Sequence, residues 1–255
     1  MKYSVIYSNM ERMDHPFSIW DNIKLFLKKV SVTLRDGDIL VLSGKYSSMS
    51  TGRKYNINDV IPLADSIEIA DKANVDAKMA ELVIRESDVV YSSMPGFLMA
   101  VNNGLLAPNG GLDRSNVERN EVILYPISPS EMSESIRRRA FIEYRTYIGV
   151  LITDSRLYPM RKGTVGISIG CSGIHAIIDD RGREDLFNNK LKVTKRAIAD
   201  DIATIAQLSM GESNEGRPIV LIRGLGELVE THRRPYNLSV SFEEDIYTRM
   251  YKKLV

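Results

Sequence analysis

SPSEMSESIRRRAFIEYRTYIGVLITD, residues 128–154, decides how the rest of the chain is read. Ser128-Pro129-Ser130-Glu131 is a capping box with proline at the first helical position. A helix therefore starts there and is expected to run to about Tyr147. Ile148 to Thr153 follows as an apolar run of the kind that forms a buried strand, ending at Asp154. A long helix feeding a buried strand places the chain among proteins that layer helices on sheets.

Working outward gives more of both elements. On the N-terminal side, Lys2 to Tyr7 reads as a short strand, and a loop passes through Asp14, His15 and Pro16. Ser18 to Val30 has Ile19, Ile23, Phe26 and Leu27 at helical spacing. Asp36-Gly37 is a turn, and Ile39 to Leu42 leaves it as a strand. Gly44 to Arg53 is rich in Gly and Ser and reads as a loop. Asp76 to Glu86 is helical. Gly96 to Ala107 is a hairpin turning at Asn103-Gly104, Asn109-Gly110-Gly111 opens a loop, and Val122 to Tyr125 is a strand. On the C-terminal side, Val165 to Gly170 is a strand. Lys192 to Met210 is a long amphipathic helix with Ile198, Ile202, Ile205 and Leu208 inward, and Gly211 stands at its C-cap. Ile219 to Ile222 is a strand, and Ser241 with Glu244 forms a capping box for a terminal helix. Strands and helices mix without strict alternation, so the class is α+β (mixed α/β).

Bulk properties narrow the function. The chain has 255 residues, 34 Lys and Arg against 33 Asp and Glu, and a net charge of +1. No global field draws it to nucleic acid or to a membrane. One cysteine, Cys171, rules out an internal disulfide and points to a reducing compartment. The longest apolar run, Val165 to Ile178, is too short and too polar to span a bilayer. The expectation is a soluble, cytoplasmic enzyme acting on small molecules.

Three acidic segments carry the chemistry. In Asn109-Gly-Gly-Leu-Asp113-Arg-Ser-Asn116, paired glycines let backbone approach a ligand, Asp113 offers a hard oxygen and Asn116 an amide; a plain turn explains the same residues. Asp154 with Ser155 puts a carboxylate and a hydroxyl at the end of a strand, where open α/β sheets place ligands; a capping role is the alternative. Glu212 follows Gly211 in a small-residue loop, which reads equally as a solvated helix end. Arg161, Lys162 and Arg183 can bind phosphate, or simply be solvated. Arg137-Arg138-Arg139 reads as surface or interface. His15, His175 and His232 lack zinc spacing, and the chain has no nucleophile elbow, Walker A loop or dinucleotide fingerprint.

Taken in order, Gly37-Asp-Ile-Leu-Val-Leu-Ser43, Asn109 to Asn116, Gly149-Val-Leu-Ile-Thr-Asp154, Gly182-Arg-Glu-Asp-Leu186, Ala199-Asp-Asp-Ile-Ala203, Met210-Gly-Glu212 and Val220-Leu-Ile-Arg-Gly-Leu225 resemble the coenzyme F420:L-glutamate ligase family over residues 2 to 225. The resemblance implies a GTP-dependent enzyme that joins L-glutamate to a coenzyme F420 precursor through an acyl phosphate. It implies Mg²⁺ or Mn²⁺, K⁺ as a helper, and one family unit, 1–255, of two lobes in an intertwined homodimer. By position, Asp113, Asp154, Ser155 and Glu212 would hold metal. His15, Pro16, Gly44, Lys45, Asn116, Met210, Gly211, Ser213 and Gly216 would contact nucleotide, and Arg161, Lys162 and Arg183 the acceptor. Met49 stands where the family has a phosphate-facing lysine, with Lys45 four residues earlier as a substitute. Another acceptor, such as a folate-like cofactor, or a relative that only binds nucleotide or metal, are the other functions compatible with that change.

Overall fold

A computed structural model describes residues 2–231 and 235–248. In chain order the elements begin with β1 (Ser4–Tyr7), α1 (Ile19–Lys29), β2 (Ile39–Ser43), α2 (Gly44–Ser50), β3 (Lys54–Asn56), α3 (Ala64–Ala73) and α4 (Ala77–Glu86). They continue with β4 (Val89–Met94), β5 (Phe97–Asn102), β6 (Leu105–Pro108), β7 (Glu121–Ile123), α5 (Pro129–Tyr144), β8 (Gly149–Leu157) and β9 (Thr164–Ser172). The last are β10 (Ile178–Asp179), β11 (Lys195–Arg196), α6 (Ile198–Met210) and β12 (Ile219–Arg223). The mixed α+β class expected from the sequence is what forms.

The chain divides into two compact units. The first takes 1–12, 18–44 and 129–238; the second takes 13–17, 45–128 and 239–255. The largest segment of the second, 45–128, is thus inserted between β2 and α5.

The first unit is built on a sheet of order β1-β12-β2-β8-β9. Only β2 and β8 pair in parallel, in the register Ile39 to Gly149 through Ser43 to Thr153. Ile39, Val41, Leu151, Val220 and Ile222 pack with Ile198, Ala199, Ile202, Ala206 and Met210 of α6. Between Ile152 and Thr153 the β8–β9 register slips by one residue, leaving Ile169 unpaired. That bulge reverses the pleat. Gly166 and Gly170, four residues apart, therefore serve opposite faces. A Cβ on Gly166 would lie 2.6 Å from the Ala203 carbonyl of α6, and one on Gly170 would lie 2.5 Å from Pro129 and Ser130 of α5. Close helix–strand approach on both faces needs glycine at both places.

Two of the helices begin on local side-chain caps. Ser18 Oγ accepts from the Asp21 amide to cap α1, and Asp76 accepts from the Met79 amide at 3.0 Å to cap α4. In the second unit, α3 and α4 cover β4-β5-β6, with Ile69, Met79, Leu82, Val83, Val90 and Leu98 in its core.

Several expectations are corrected. Residues 44–50, read as loop, are helix α2, with Tyr46, Ser47, Ser48 and Ser50 buried. Within the helix Ser50 Oγ donates to the Ser47 carbonyl at 2.7 Å; burial overrides propensity here. β8 runs through Asp154 to Leu157 rather than stopping at it, because β9 pairs with it all the way. The 192–210 helix begins only at Ile198, since Lys195 and Arg196 pair with β10. Leu208 is 85 % exposed, lying opposite the Ile202, Ala206 and Met210 stripe on a 100°-per-residue wheel. Residues 242–247 form turns apart from Asp245, although Ser241 and Glu244 do meet at 3.3 Å; the expected terminal helix beyond residue 248 lies outside the described residues. In the run read as surface or interface, Arg138 and Arg139 are exposed, while Arg137 has a side chain 14 % exposed and pairs with Glu134 at 2.8 Å. His232 lies outside the described residues.

Candidate functional site

In the second unit, the loop after β6 presents Asp113. Asn109, Gly110, Gly111 and Asn116 all have positive φ, and a Cβ on Gly110 would press to 2.5 Å from Ser87 Oγ. Asn109 Oδ1 accepts from the Leu98 amide at 3.0 Å, tying the loop to β5. Asp113 exchanges two backbone hydrogen bonds with Ile123, at 3.0 and 2.8 Å. Its Oδ1 accepts from the Ser115 amide at 2.7 Å and its Oδ2 meets Lys45 Nζ at 2.7 Å. Burial pushes the Asp113 carboxyl up, but Lys45 and Ser115 outweigh it and hold it below the ordinary value of 3.8. Asn116 is exposed.

The same unit holds the loop 13–17. Pro16 packs against Gly52, whose added Cβ would lie 3.1 Å from Pro16 Cγ. The Phe17 amide donates to the Ser50 carbonyl at 3.2 Å, and its ring tilts on Tyr46 at 4.7 Å. His15 is exposed. The structure thus joins two of the segments expected to contact nucleotide, His15-Pro16 and α2. Because 44–50 is helical, Lys45 and Met49 sit one turn apart on the same face. Both are partly exposed, while Tyr46, Ser47 and Ser48 turn inward.

In the first unit, Asp154 Oδ2 pairs with Arg156 Nη1 at 3.1 Å, and Oδ1 accepts from the Ser155 amide at 2.9 Å. Gly44 lies close by: its Cβ would stand 3.8 Å from Asp154 Cβ. Glu212 accepts from Gln207 Nε2 and from Thr164 Oγ1 at 3.1 Å. Asp154 pairs with Ile167, three residues from Thr164, so the two acids address opposite sides of the pleat. Gly211, with φ 74°, ends α6, and Ser213 donates its amide to Glu215 at 2.9 Å. The Gly216 carbonyl accepts from the Met10 amide at 2.7 Å. Arg217 lies over the Tyr7 ring at 4.7 Å. Arg161 and Lys162 are exposed, and Arg183 is paired with Asp180 at 2.9 Å.

Among the described residues, no group of three or more His, Cys, Asp or Glu is close enough to hold a metal. Each candidate acid is met by a donor of the chain: Asp113 by Lys45, Asp154 by Arg156, Glu212 by Gln207 and Thr164. The donor set itself fits a hard divalent cation, being carboxylate and hydroxyl oxygen throughout, and Asp113 already holds a cationic group. Ser115, whose carbonyl and hydroxyl also face that group, carried no signal in sequence beyond its turn.

Fold and candidate site together describe a mixed α+β chain that sets carboxylate and hydroxyl oxygens beside side-chain cations. Residues 17–224 match the family model described as F420-0:gamma-glutamyl ligase. The coenzyme F420:L-glutamate ligase of Archaeoglobus fulgidus is 36 % identical over 227 residues, 87 % of this chain and 88 % of that protein. Those of Methanocaldococcus jannaschii and Methanopyrus kandleri are 38 % identical over 192 residues and 32 % over 206 residues; they cover 75 % of this chain and 77 % of that protein, and 80 % and 82 %. The chain belongs to the F420-0:gamma-glutamyl ligase family.

Proposed function

We propose that the chain is a GTP-dependent ligase that forms an amide bond between L-glutamate and a coenzyme F420 precursor. The family match over 17–224 carries this reading. A carboxylate oxygen of the acceptor attacks the γ-phosphorus of GTP, the bond to the β-phosphate oxygen breaks, and GDP leaves. The glutamate nitrogen then attacks the carbonyl carbon of the acyl phosphate, phosphate departs with the C–O bond pair, and the amine gives up a proton. Asp113, Asp154, Ser155 and Glu212 would hold Mg²⁺ or Mn²⁺, which supplies charge neutralisation to the triphosphate. Lys45 on α2, the loop of His15 and Pro16, Asn116, and Met210, Gly211, Ser213 and Gly216 would cradle the nucleotide. Arg161, Lys162 and Arg183 would meet an anionic acceptor, Arg183 by leaving Asp180. K⁺ would assist. The acidic ligands need such cations, because like charges resist ionising together.

The subunit would work as a two-lobed member of an intertwined homodimer. An arm between β10 and β11 supports that assembly. It is held as a hairpin by Gly182 donating to Leu191 and Leu191 to Arg183, at 2.9 and 2.8 Å. Its tip carries Leu186 at 98 % and Phe187 at 83 % exposure, apolar surface that a second subunit would cover. Among the described residues no helix is long and apolar enough to cross a membrane.

GDP release with L-glutamate, Mn²⁺ and the F420 precursor tests the reaction, with product masses read from the precursor and from a folate-like panel. Glutamate-dependent GDP formation on the precursor is expected. Products only on the panel would make it a ligase for another acceptor, the reading Met49 favours. Tight GTP binding without turnover would leave a binding protein.

A further inference from the structure

The ammonium of Lys45 sits among three oxygens of a single loop. It meets Asp113 Oδ2 at 2.7 Å, the Ser115 carbonyl at 3.0 Å and Ser115 Oγ at 2.5 Å. A carboxylate, a carbonyl and a hydroxyl gathered on one point charge are the ligand types that hard cations take. The loop keeps that shape by its own means. Ile123 pins the Asp113 backbone from both sides, the Ser115 amide fixes Oδ1 at 2.7 Å, and Asn109 anchors the entry to β5 at 3.0 Å. The lysine enters from outside the loop, on a flexible four-carbon stem rooted in α2.

We propose that Lys45 is a tethered stand-in for the divalent cation. While no cation is bound, its ammonium takes the place defined by Asp113 Oδ2, the Ser115 carbonyl and Ser115 Oγ, and the arriving cation displaces it. The proposal rests on the metal reading given above and adds Ser115 as a ligand through two of its oxygens. Exchange of one positive group for another keeps the half-buried Asp113 carboxylate neutralised at every stage, avoiding the penalty of an unpaired charge. The displaced ammonium stays on the exposed α2 face that it shares with Met49. It is then released toward an anionic co-substrate as the cation arrives, so cation and phosphate binding reinforce each other.

Two measurements on the full chain test this. Mn²⁺ is titrated by calorimetry into the parent protein, Lys45→Gln and Lys45→Arg. In parallel, reductive methylation of lysines in the parent is mapped by mass spectrometry with and without Mn²⁺. Loss of the competing ammonium should tighten Mn²⁺ binding about tenfold in Lys45→Gln, while Lys45→Arg, which keeps a cation there, should bind no tighter than the parent. Lys45 should methylate several-fold faster once Mn²⁺ is bound, because its three acceptors are gone. Unchanged or weaker Mn²⁺ affinity in a folded Lys45→Gln overturns the stand-in and leaves the metal site in place. So does unchanged Lys45 methylation at Mn²⁺ saturation, and that readout decides alone if the Gln variant misfolds. Failure of all three proteins to bind Mn²⁺ overturns the metal reading and the stand-in together.

Discussion

Met49 follows Lys45 by one helical turn, and both side chains leave the same partly exposed face of α2. The family resemblance implies a phosphate-facing lysine at the position of Met49, for which Lys45 is the substitute. A thioether supplies no charge to a triphosphate, so Met49 leaves Lys45 as the cation of this face. Met49→Lys is expected to tighten GTP binding about tenfold, one well-placed charge-assisted contact to phosphate. The cost is a like-charge pair at i,i+4, worth roughly 0.2–0.5 kcal/mol of helix stability. Equilibrium binding of a non-hydrolysable GTP analogue, with Mn²⁺ held constant, reads the first effect. An unchanged affinity would mean that this face does not meet the phosphates.

Elements are tied to one another by a few buried polar groups, and Glu134 is the chief one between α5 and β9. Its carboxylate accepts from Ser172 Oγ at 2.5 Å, from Arg137 Nε at 2.8 Å and from Arg138 Nε at 2.6 Å. Burial alone would raise its pKa, but Arg137, Ser172 and Arg138 outweigh it and bring it from 4.5 to about 2. A folded-state pKa below the unfolded one gives stability that is complete above pH 4.5 and lost as pH falls toward 2. Glu134→Gln should therefore cost about 1–3 kcal/mol at neutral pH, because two arginines lose their acceptor. Urea unfolding across pH 2–7 checks both parts: the parent should weaken below about pH 4.5, and the variant should lose much of that slope. Equal acid slopes in both would show that Glu134 does not carry the linkage.

At the scale of the whole molecule, the arm between β10 and β11 is anchored by charge and ends in apolar surface. Asp180 receives both Arg183 at 2.9 Å and Arg196 at 2.7 Å, which sets the base of the hairpin. Leu186 and Phe187 at its tip touch little of their own chain. Light scattering coupled to size exclusion is expected to give a dimer at micromolar concentration. Leu186→Asp with Phe187→Asp should shift it to monomer without loss of circular dichroism, since neither side chain is in a core. A parent protein that elutes as a monomer at all concentrations would remove the dimer from the proposed function.

The sequence by itself determined what short-range physics can specify. Ser18 and Asp76 cap α1 and α4, Gly211 ends α6, and Asn103-Gly104 turns β5 into β6, because each rule acts within a few residues. Local pattern left Asp113, Asp154 and Glu212 as candidate oxygen donors with a plain structural alternative for each, and only the family resemblance grouped them with Ser155. Tertiary structure decided the rest. A Gly- and Ser-rich stretch became α2 only because Tyr46, Ser47 and Ser48 are buried. Asp154 lies inside β8 because β9 extends past it. The Ile169 bulge, invisible in a hydrophobic pattern, assigns Gly166 and Gly170 to different helices. The partner of Asp113 was settled across nearly seventy residues, where Lys45 reaches Asp113 and Ser115. Pairings of that span depend on how the core closes, and no local propensity encodes them.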